Sequence, residues 1–359
     1  MRTFIIAEAG VNHNGSLVAA KHLVDVAVDA GADAVKFQAF HTEDMICVGA
    51  AKAEYQKAAT FASESQYDML NSLELSEEYQ IELVQYCKKR SILCVYSPFD
   101  LKSVDFLNHS LDPPLIKVAS GEITNLPLLL RVARTRKRVV LSTGMSTLGE
   151  IETALAILAF GYVYPSEGID PINTLCEEAY CSEHGQEMLR NKVSLLHCTS
   201  EYPAPFAEIN LRVMKTLQVA FGLPVGYSDH TLGIAVAIAA VACGAVIIEK
   251  HFTLDKSMPG PDHQASLEPH ELSAMIVGIR QVELALGDSR KIPSPSEFKN
   301  RFIARKSLVS VEKINTGNLF TDKNISCKRP GTGVSPVKFY EYLNKRAERD
   351  YDRDELIGI

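Results

Sequence analysis

The feature that most constrains this chain is a recurring pattern of short apolar runs, separated by segments whose apolar residues follow helical spacing. Between the first two runs, Leu17, Leu23 and Val24 fall on one face of a predicted helix that ends at Gly31. Strands that are apolar on both faces and alternate with helices are typical of a parallel sheet covered by helices. The apolar runs span residues 3–10, 33–40, 92–99, 115–122, 138–145, 193–200, 224–231 and 245–252.

Polar residues follow the apolar part of these runs. In a (β/α)8 barrel the carboxyl ends of all eight strands meet at one mouth, where the chemistry takes place. A doubly wound sheet, which is the alternative, would use only the few strand ends beside its switch point. Polar ends on all the runs therefore favour an α/β fold built on a (β/α)8 TIM barrel. The residues at these ends are Glu8, Lys36, Gln38, Ser97, Lys117, Ser120, Ser142, His197, Ser228, His230, Glu249 and His251.

Two segments fall outside this repeat. Residues 161–191 lie between the fifth predicted helix and the sixth strand, on the face of a barrel opposite the mouth, so we expect a role in stability or in an interface. Residues 287–302 are rich in serine and proline and form a predicted linker. Beyond it, short strand-like runs and glycine turns predict a small β-rich domain over 303–359, which follows a catalytic barrel over 1–286.

The overall composition excludes several classes of protein. A net charge of −7 argues against a nucleic-acid binder, which needs a basic surface. Glu8 interrupts the apolar N-terminus, so no signal peptide is expected, and no apolar run reaches the roughly 18 residues of a membrane span. The eight cysteines form no C-x-x-C pair. We therefore expect reduced thiols in a cytoplasmic protein, with zinc ligation or a catalytic thiol as the alternatives.

Two histidines end adjacent predicted strands, His230 on the seventh and His251 on the eighth. Two imidazoles from neighbouring strand ends can share one divalent cation, which leaves open positions for water or substrate. A single histidine at a strand end is more often a structural hydrogen-bonding group. Both interpretations stay open on the residues alone.

Cationic, hydroxyl and acidic side chains are predicted at the same mouth. A lysine at the inner end of an apolar strand is costly to bury unless it meets an anion, although its ammonium group can also reach solvent. The acids can pair with the lysines, act as general acid or base, or hold metal-bound water. The predicted phosphate site comprises Lys36, Lys117, Ser120, Ser142 and Ser228, and the acids are Glu8, Glu122 and Glu249.

The loop "PGPDHQAS" (259–266) follows the last predicted strand and displays Asp262 and His263 above the mouth. Loops at this end of a barrel select substrates, and a carboxylate on a rigid loop suits the hydroxyl groups of a sugar. A plain surface turn is the alternative. The residues alone thus predict a barrel enzyme with a phosphorylated substrate, and a divalent metal is one option.

A set of longer motifs occurs in a fixed order from Thr3 to near the C-terminus. The motifs are "IAEAGVNHNGS", "AVKFQAF", "KVASGEITNLPLL", "LSTGMST", "LLHCTSEYPAPF", "GYSDHTLG", "IEKHFTLDKSMPGPDHQAS" and "KRPGTGVSP". Together they resemble the N-acetylneuraminate (sialic acid) synthase family, which includes legionaminate synthases. Residues 303–359 resemble the antifreeze-like (SAF, β-clip) domain of that family.

The resemblance implies an enzyme that condenses phosphoenolpyruvate with N-acetylmannosamine and water, and releases phosphate. It implies a divalent metal on His230 and His251, typically manganese, with magnesium or cobalt as alternatives. It also implies a domain-swapped homodimer, in which Arg329 reaches the partner subunit's site. The implied phosphoenolpyruvate-binding residues are Lys36, Lys117, Ser120, Ser142 and Ser228; the acids are Glu8, Glu122 and Glu249; the sugar contacts are Gln38, Tyr202, Asp262 and Arg329.

The acceptor sugar stays open. No asparagine lies between Met45 and Leu70, where some family members place a sugar contact. The acceptor of legionaminate synthases, 2,4-diacetamido-2,4,6-trideoxymannose, is therefore an alternative to N-acetylmannosamine, whereas the "PGPDHQAS" loop is less similar to pseudaminate synthases. Two alternative functions also stay open. One is a metal-dependent aldolase that takes pyruvate, and the other is a non-catalytic carbohydrate-binding protein.

Overall fold

A closed barrel of eight parallel strands forms the larger part of the chain in the computed structural model, which describes residues 2–53, 56, 65–166 and 171–358. Each strand pairs with the next one along the chain, and β1 pairs with β8 to close the barrel. The predicted (β/α)8 barrel is confirmed, and the doubly wound alternative is wrong. The strands are β1 (Phe4–Gly10), β2 (Ala34–Ala39), β3 (Leu93–Pro98), β4 (Leu115–Val118), β5 (Arg138–Ser142), β6 (Val193–His197), β7 (Val225–Asp229) and β8 (Ile247–His251).

Helices connect the strands, and short polar side chains fix where several of them begin. Ser16 accepts the backbone N–H of Ala19 at the start of the first helix, which Gly31 ends in the left-handed region at a φ of 84°. The described helices of this unit are α1 (Leu17–Ala30), α2 (Thr42–Met45), α3 (Gln66–Leu73), α4 (Glu77–Lys89), α5 (Leu101–Phe106), α6 (Leu126–Arg134), α7 (Leu148–Val163), α8 (Asn173–Cys181), α9 (Glu183–Lys192), α10 (Val213–Phe221), α11 (Ala235–Ala242) and α12 (Pro269–Leu286).

The barrel interior changes from apolar to polar along the strands. Side chains two residues apart on a strand share a face, so the inward-facing positions recur with a period of two. Ile6 faces the apolar interior and Glu8 follows two residues later, just as Ile247 is followed by Glu249. The apolar layer therefore lies directly beneath the charged residues at the mouth. Its buried members are Ile6, Ala34, Val95, Val140, Leu196 and Ile247.

The segment 161–191 includes the helices α8 and α9, and residues 167–170 of it lie outside the described part of the chain. Cys176 and Leu189 are buried in the main core. The helix α9 ends at Lys192, directly before β6 begins. Because a connection into a strand reaches its amino end, this helix pair lies at the end of the barrel opposite the mouth.

A second compact unit comprises Asp288–Ile359, after the barrel unit Met1–Gly287. It contains two antiparallel strands, β9 (Ser307–Ser310) and β10 (Ile325–Lys328), and the helices α13 (Pro295–Ala304) and α14 (Phe339–Tyr342). The helix α13 occupies the second half of the predicted linker 287–302 and ends two residues beyond it. A small core of its own holds this unit together: Leu308, Ile314, Phe320, Ile325, Ala347, Tyr351 and Ile357. None of the helices described for either unit combines the length and apolar character needed to cross a membrane.

Candidate active site

A cavity of about 390 Å³ opens at the carboxyl ends of the barrel strands. Most residues predicted for the site line it, although they come from six strands and from loops far apart in sequence. The single mouth of a parallel barrel accounts for this convergence. The predicted residues that line the cavity are Glu8, Lys36, Gln38, Lys117, Ser120, Ser142, Tyr202, Ser228, His230, Glu249, His251 and Asp262.

Two lysines and two glutamates form a buried charge cluster at the base of this cavity. Lys36 Nζ lies 2.8 Å from Glu8 Oε2 and 3.5 Å from Glu249 Oε2, and Lys117 Nζ lies 3.5 Å from Glu249 Oε1. All four side chains are at most 5% exposed. Buried charges of this kind are tolerated only when they are paired. Both lysines are therefore held inside, against carboxylates, and the alternative in which their ammonium groups reach solvent does not apply.

The two carboxylates of the cluster have different protonation behaviour. Burial raises the pKa of Glu8 to about 7, although Lys36 opposes the shift. Burial also disfavours the charge on Glu249, but Lys117 and Lys36 outweigh it and lower its pKa to about 2. Glu249 is thus ionised near neutral pH, while Glu8 can exchange a proton there. A pKa near the working pH suits a general acid or base.

The two lysines also differ. Burial alone would lower the pKa of Lys36, but Glu249 and Glu8 outweigh it, so the pKa is raised. For Lys117 burial dominates and lowers the pKa. Ser97 accepts a hydrogen bond of 3.2 Å from Lys36 Nζ. Lys36 is therefore the more firmly charged lysine of the cluster, and a bound anion would favour the charged form of Lys117.

His230 and His251 stand side by side, with ring centroids 5.8 Å apart, and the ring of Tyr202 lies 4.2 Å from that of His230. His230 Nδ1 donates to the carbonyl oxygen of Thr199 at 2.6 Å, which leaves the lone pair on Nε2. The nearby Ser228 hydroxyl donates its proton to Glu249 at 2.7 Å. It therefore does not donate to His230 Nε2, whose lone pair stays available.

These histidines fit a divalent cation. Burial lowers the pKa of His230 to about 4 and that of His251 well below its ordinary value, so both rings are neutral near pH 7, the form that binds metals. His251 Nδ1 is buried without a hydrogen-bond partner among the described residues, and the Asp262 carboxylate lies 3.9 Å away. Two imidazole nitrogens beside a carboxylate form a donor set suited to a first-row divalent metal.

A second group of ligand-type side chains lies outside this cavity. Single ligand atoms of His41, Asp44 and Asp100 come within 4.8 Å of one another, so the group could hold a metal ion. Asp100 already accepts the backbone N–H groups of Ser103 and His41, and Asp44 pairs with Lys102 at 2.6 Å. Because these carboxylates have protein partners, the imidazole pair in the cavity is the better candidate for the metal of a catalytic site.

Three predicted residues are not among those that line the cavity. Glu122 is half-buried and accepts a 2.7 Å hydrogen bond from Asn125, and it does not line the cavity. Arg329 belongs to the second unit, where its Nε donates to the carbonyl oxygen of Ala304 at 2.9 Å. The strand-end residue His197 lies 2.6 Å from the carbonyl oxygen of Ile209 through Nε2. Since Leu196 faces inward, the next inward residue of this strand end is Cys198, not His197.

One wall of the cavity is apolar, and the sequence gives no periodic signal for it. Its residues come from the loops after β1 and β3 and from the helices α2 and α3, so only the fold brings them together. Gln56 and Gln66 also line the cavity, and residues 54–55 and 57–64 lie outside the described part of the chain. The apolar wall comprises Val11, Met45, Met69, Leu70 and Phe99.

Comparison with known proteins agrees with this fold. The NeuB family model matches residues 23–291. An N,N'-diacetyllegionaminic acid synthase of Campylobacter jejuni is 49% identical over 99% of each chain, and one of Legionella pneumophila is 42% identical over 96% of this chain and 90% of the relative. The crystal structure of an N-acetylneuraminic acid synthetase from Leptospira borgpetersenii is 32% identical, with a TM-score of 0.67 over 84% of this chain and 90% of that one. The chain therefore belongs to the NeuB family, the phosphoenolpyruvate-condensing synthases of nonulosonic acids.

Proposed function

We propose that this synthase condenses phosphoenolpyruvate with 2,4-diacetamido-2,4,6-trideoxymannose to give a legionaminate-type product. The observation that carries this choice is the apolar wall of the cavity, formed in part by Met69, Leu70 and Phe99. This acceptor presents a second acetamido methyl group and a C6 methyl group, where N-acetylmannosamine presents hydroxyl groups. Burying hydroxyl groups against an apolar wall costs free energy, whereas methyl groups gain from it. The names of the two legionaminic acid synthases support the same choice.

The phosphate of phosphoenolpyruvate is proposed to bind at the buried charge cluster. Lys36 and Lys117 supply positive charge, and Ser120, Ser142 and Ser228 line the same cavity with hydroxyl groups. The acceptor lies between this anion site and the apolar wall, beside Gln38, Tyr202 and Asp262.

A divalent metal, manganese with magnesium or cobalt as alternatives, is proposed to bind His230 and His251. When bound, it supplies Lewis-acid polarisation of the open-chain sugar aldehyde. The protein holds both rings neutral and aims them into the cavity that binds the other substrate. The two substrates thereby meet at short range, which removes much of the entropic barrier to a bimolecular reaction.

Glu8 is proposed as the group that takes a proton from water. In the reaction the enol carbon of phosphoenolpyruvate bonds to the aldehyde carbon, water adds to the adjacent carbon, and cleavage of that carbon's bond to the bridging oxygen releases phosphate. Glu8 lines the cavity and its pKa is raised to about 7 by burial, whereas Glu122 does not line the cavity. Of the two glutamates considered for this role, Glu8 is therefore the better placed.

The acceptor choice is tested by steady-state assays with phosphoenolpyruvate, Mn²⁺ and either sugar, with mass spectrometry of the product. We expect kcat/KM for the diacetamido sugar to exceed that for N-acetylmannosamine by roughly 10-fold or more. The variant Met69→Gln keeps the side-chain length but makes the wall polar, so it should reduce this preference. A preference for N-acetylmannosamine that Met69→Gln leaves unchanged would contradict the assignment.

A further inference from the structure

Cys198 is buried at the mouth of the barrel, beside the anion site. It follows the inward-facing Leu196 by two residues and is 5% exposed. Its Sγ lies 3.1 Å from the hydroxyl oxygen of Ser120, which lines the cavity. The thiol is therefore in direct contact with one of the hydroxyl groups proposed to bind phosphate.

A second donor reaches the same oxygen from the neighbouring strand end. The backbone N–H of Gly144 donates to Ser120 Oγ at 3.1 Å. A serine hydroxyl has two acceptor lone pairs and one proton. When the Cys198 thiol donates to Oγ as well, both lone pairs are used, and the hydroxyl proton is free only for a third partner.

An anion in the cavity favours this arrangement. A hydroxyl group binds a charged phosphate oxygen more strongly than it binds a thiol sulfur, because charge-assisted hydrogen bonds are the stronger ones. Once Ser120 donates to the anion, the remaining contact between Ser120 and Cys198 requires the thiol to be the donor. Gly144 and Cys198 then fix the oxygen from two sides while its proton points into the cavity.

The steric environment of Gly144 shows that this cluster is tightly built. A Cβ atom at this position would lie 2.4 Å from Ser200 Oγ, 2.8 Å from Ser120 Oγ and 2.9 Å from Cys198 Sγ. All three distances are too short for real contacts. Only glycine at this position leaves room for the three polar side chains to approach the backbone this closely.

We infer that Cys198 is a positioning residue that, together with the Gly144 N–H, directs the Ser120 hydroxyl toward the anionic group of phosphoenolpyruvate. This inference rests on the proposed binding of phosphoenolpyruvate at the charge cluster. It assigns no covalent chemistry to the thiol. The residue acts by orienting the proton of Ser120, so its removal weakens phosphoenolpyruvate binding more than it slows the chemical step.

The test measures phosphoenolpyruvate binding by calorimetry and steady-state kinetics for Cys198→Ala, Cys198→Ser, Ser120→Ala and the double variant. We expect Cys198→Ala to raise Kd and KM for phosphoenolpyruvate roughly 3- to 10-fold with little change in kcat, the range expected for one hydrogen bond. Cys198→Ser should restore binding because a hydroxyl can donate in place of the thiol. The double variant should bind no more weakly than Ser120→Ala alone, since both changes remove the same contact.

The matched control is Cys176→Ala, which removes a buried thiol in α8, outside the cavity. It should leave the Kd for phosphoenolpyruvate unchanged. Three results would each overturn the inference. Cys198→Ala could bind phosphoenolpyruvate as tightly as the wild type, Cys198→Ser could bind it as weakly as Cys198→Ala, or the losses of affinity in the double variant could be additive. If the folded wild-type protein binds no phosphoenolpyruvate, the proposed function itself fails, and the inference falls with it.

Discussion

At the residue scale, the site depends on ionisable groups whose surroundings separate their protonation states. Glu8 and Glu249 are both buried and both touch Lys36, yet the pKa of one is raised and that of the other is lowered. The difference arises because Glu249 has a second lysine, Lys117, beside it and accepts a hydrogen bond from Ser228. The sequence shows which charged residues stand at strand ends, but it cannot show which of them share a partner.

Replacement of His230 tests the metal assignment. We expect His230→Ala to abolish most Mn²⁺ binding to the substrate-free protein and to lower kcat/KM roughly 10²- to 10³-fold or more. Electron paramagnetic resonance of Mn²⁺ titrated into the protein measures binding independently of activity. His184→Ala, which changes an exposed histidine of α9, is the control. Undiminished Mn²⁺ binding by His230→Ala would remove the metal from this site.

The pH dependence of stability tests the buried neutral histidines. Burial, with a contribution from His263, lowers the pKa of His13 from 6.5 to about 4, and its Nδ1 lies 3.1 Å from the backbone N–H of Gly15. The unfolded chain then binds the proton first, so the stability that this group contributes above pH 6.5 is lost as the pH falls toward 4. The metal-free protein should lose unfolding free energy over this range, and His13→Gln should lose less. The unfolding free energy is measured by urea titration at each pH. If it falls equally steeply with pH in the two proteins, the assignment is contradicted.

At the element scale, the strands and the barrel could be predicted because one succession recurs along the chain. In each repeat an apolar run ends in polar residues and is followed by a segment with helical spacing. The sequence could not predict whether each side chain points inward or outward. In a run such as 193–200, either the odd-numbered or the even-numbered residues could face the barrel interior. The strand register, in which Leu196 pairs with Gly226, places the side chain of Leu196 in the barrel interior. The side chain of Cys198 therefore also points inward, and that of His197 points outward. The apolar wall could not be predicted either, because Met69 and Phe99 lie in separate segments of the chain that only the fold brings together.

Gly226 tests the packing of the barrel interior. A Cβ atom there would lie 2.4 Å from the carbonyl oxygen of Ile247 and 2.7 Å from Leu196 Cδ2. Gly226→Ala should therefore lower the free energy of unfolding by roughly 1–3 kcal/mol or more through overpacking. Gly49→Ala is the matched control, because nothing lies within 4 Å of a Cβ built at that position. Equal urea midpoints for the two variants would show that the interior accommodates the methyl group.

At the scale of the whole molecule, the chain combines an enzyme barrel with a small β unit that has its own core. The second unit contains more basic than acidic residues, although the chain as a whole carries a net charge of −7. Arg329 belongs to this unit and is exposed. We propose, as the family resemblance implies, that Arg329 of this unit contributes a cationic group to the site of a partner subunit.

Mixed dimers test this contribution. Arg329→Ala and His230→Ala should each be inactive as pure proteins if the two residues act in one site. When the two variants are mixed, a hybrid dimer would combine the intact barrel of one chain with Arg329 of the other, so part of the activity should return. Formation of hybrid dimers is checked by native mass spectrometry. If hybrid dimers form but no activity returns, Arg329 acts within its own chain or has no role.

The most direct test of the account is the yield of inorganic phosphate per molecule of product. With phosphoenolpyruvate, the diacetamido sugar and Mn²⁺, we predict equal molar amounts of phosphate and nonulosonic acid, and neither in the absence of either substrate. An aldolase would form the product from pyruvate and release no phosphate. Product formation from pyruvate, or product from phosphoenolpyruvate without matching phosphate, would contradict the assignment of the charge cluster at the barrel mouth.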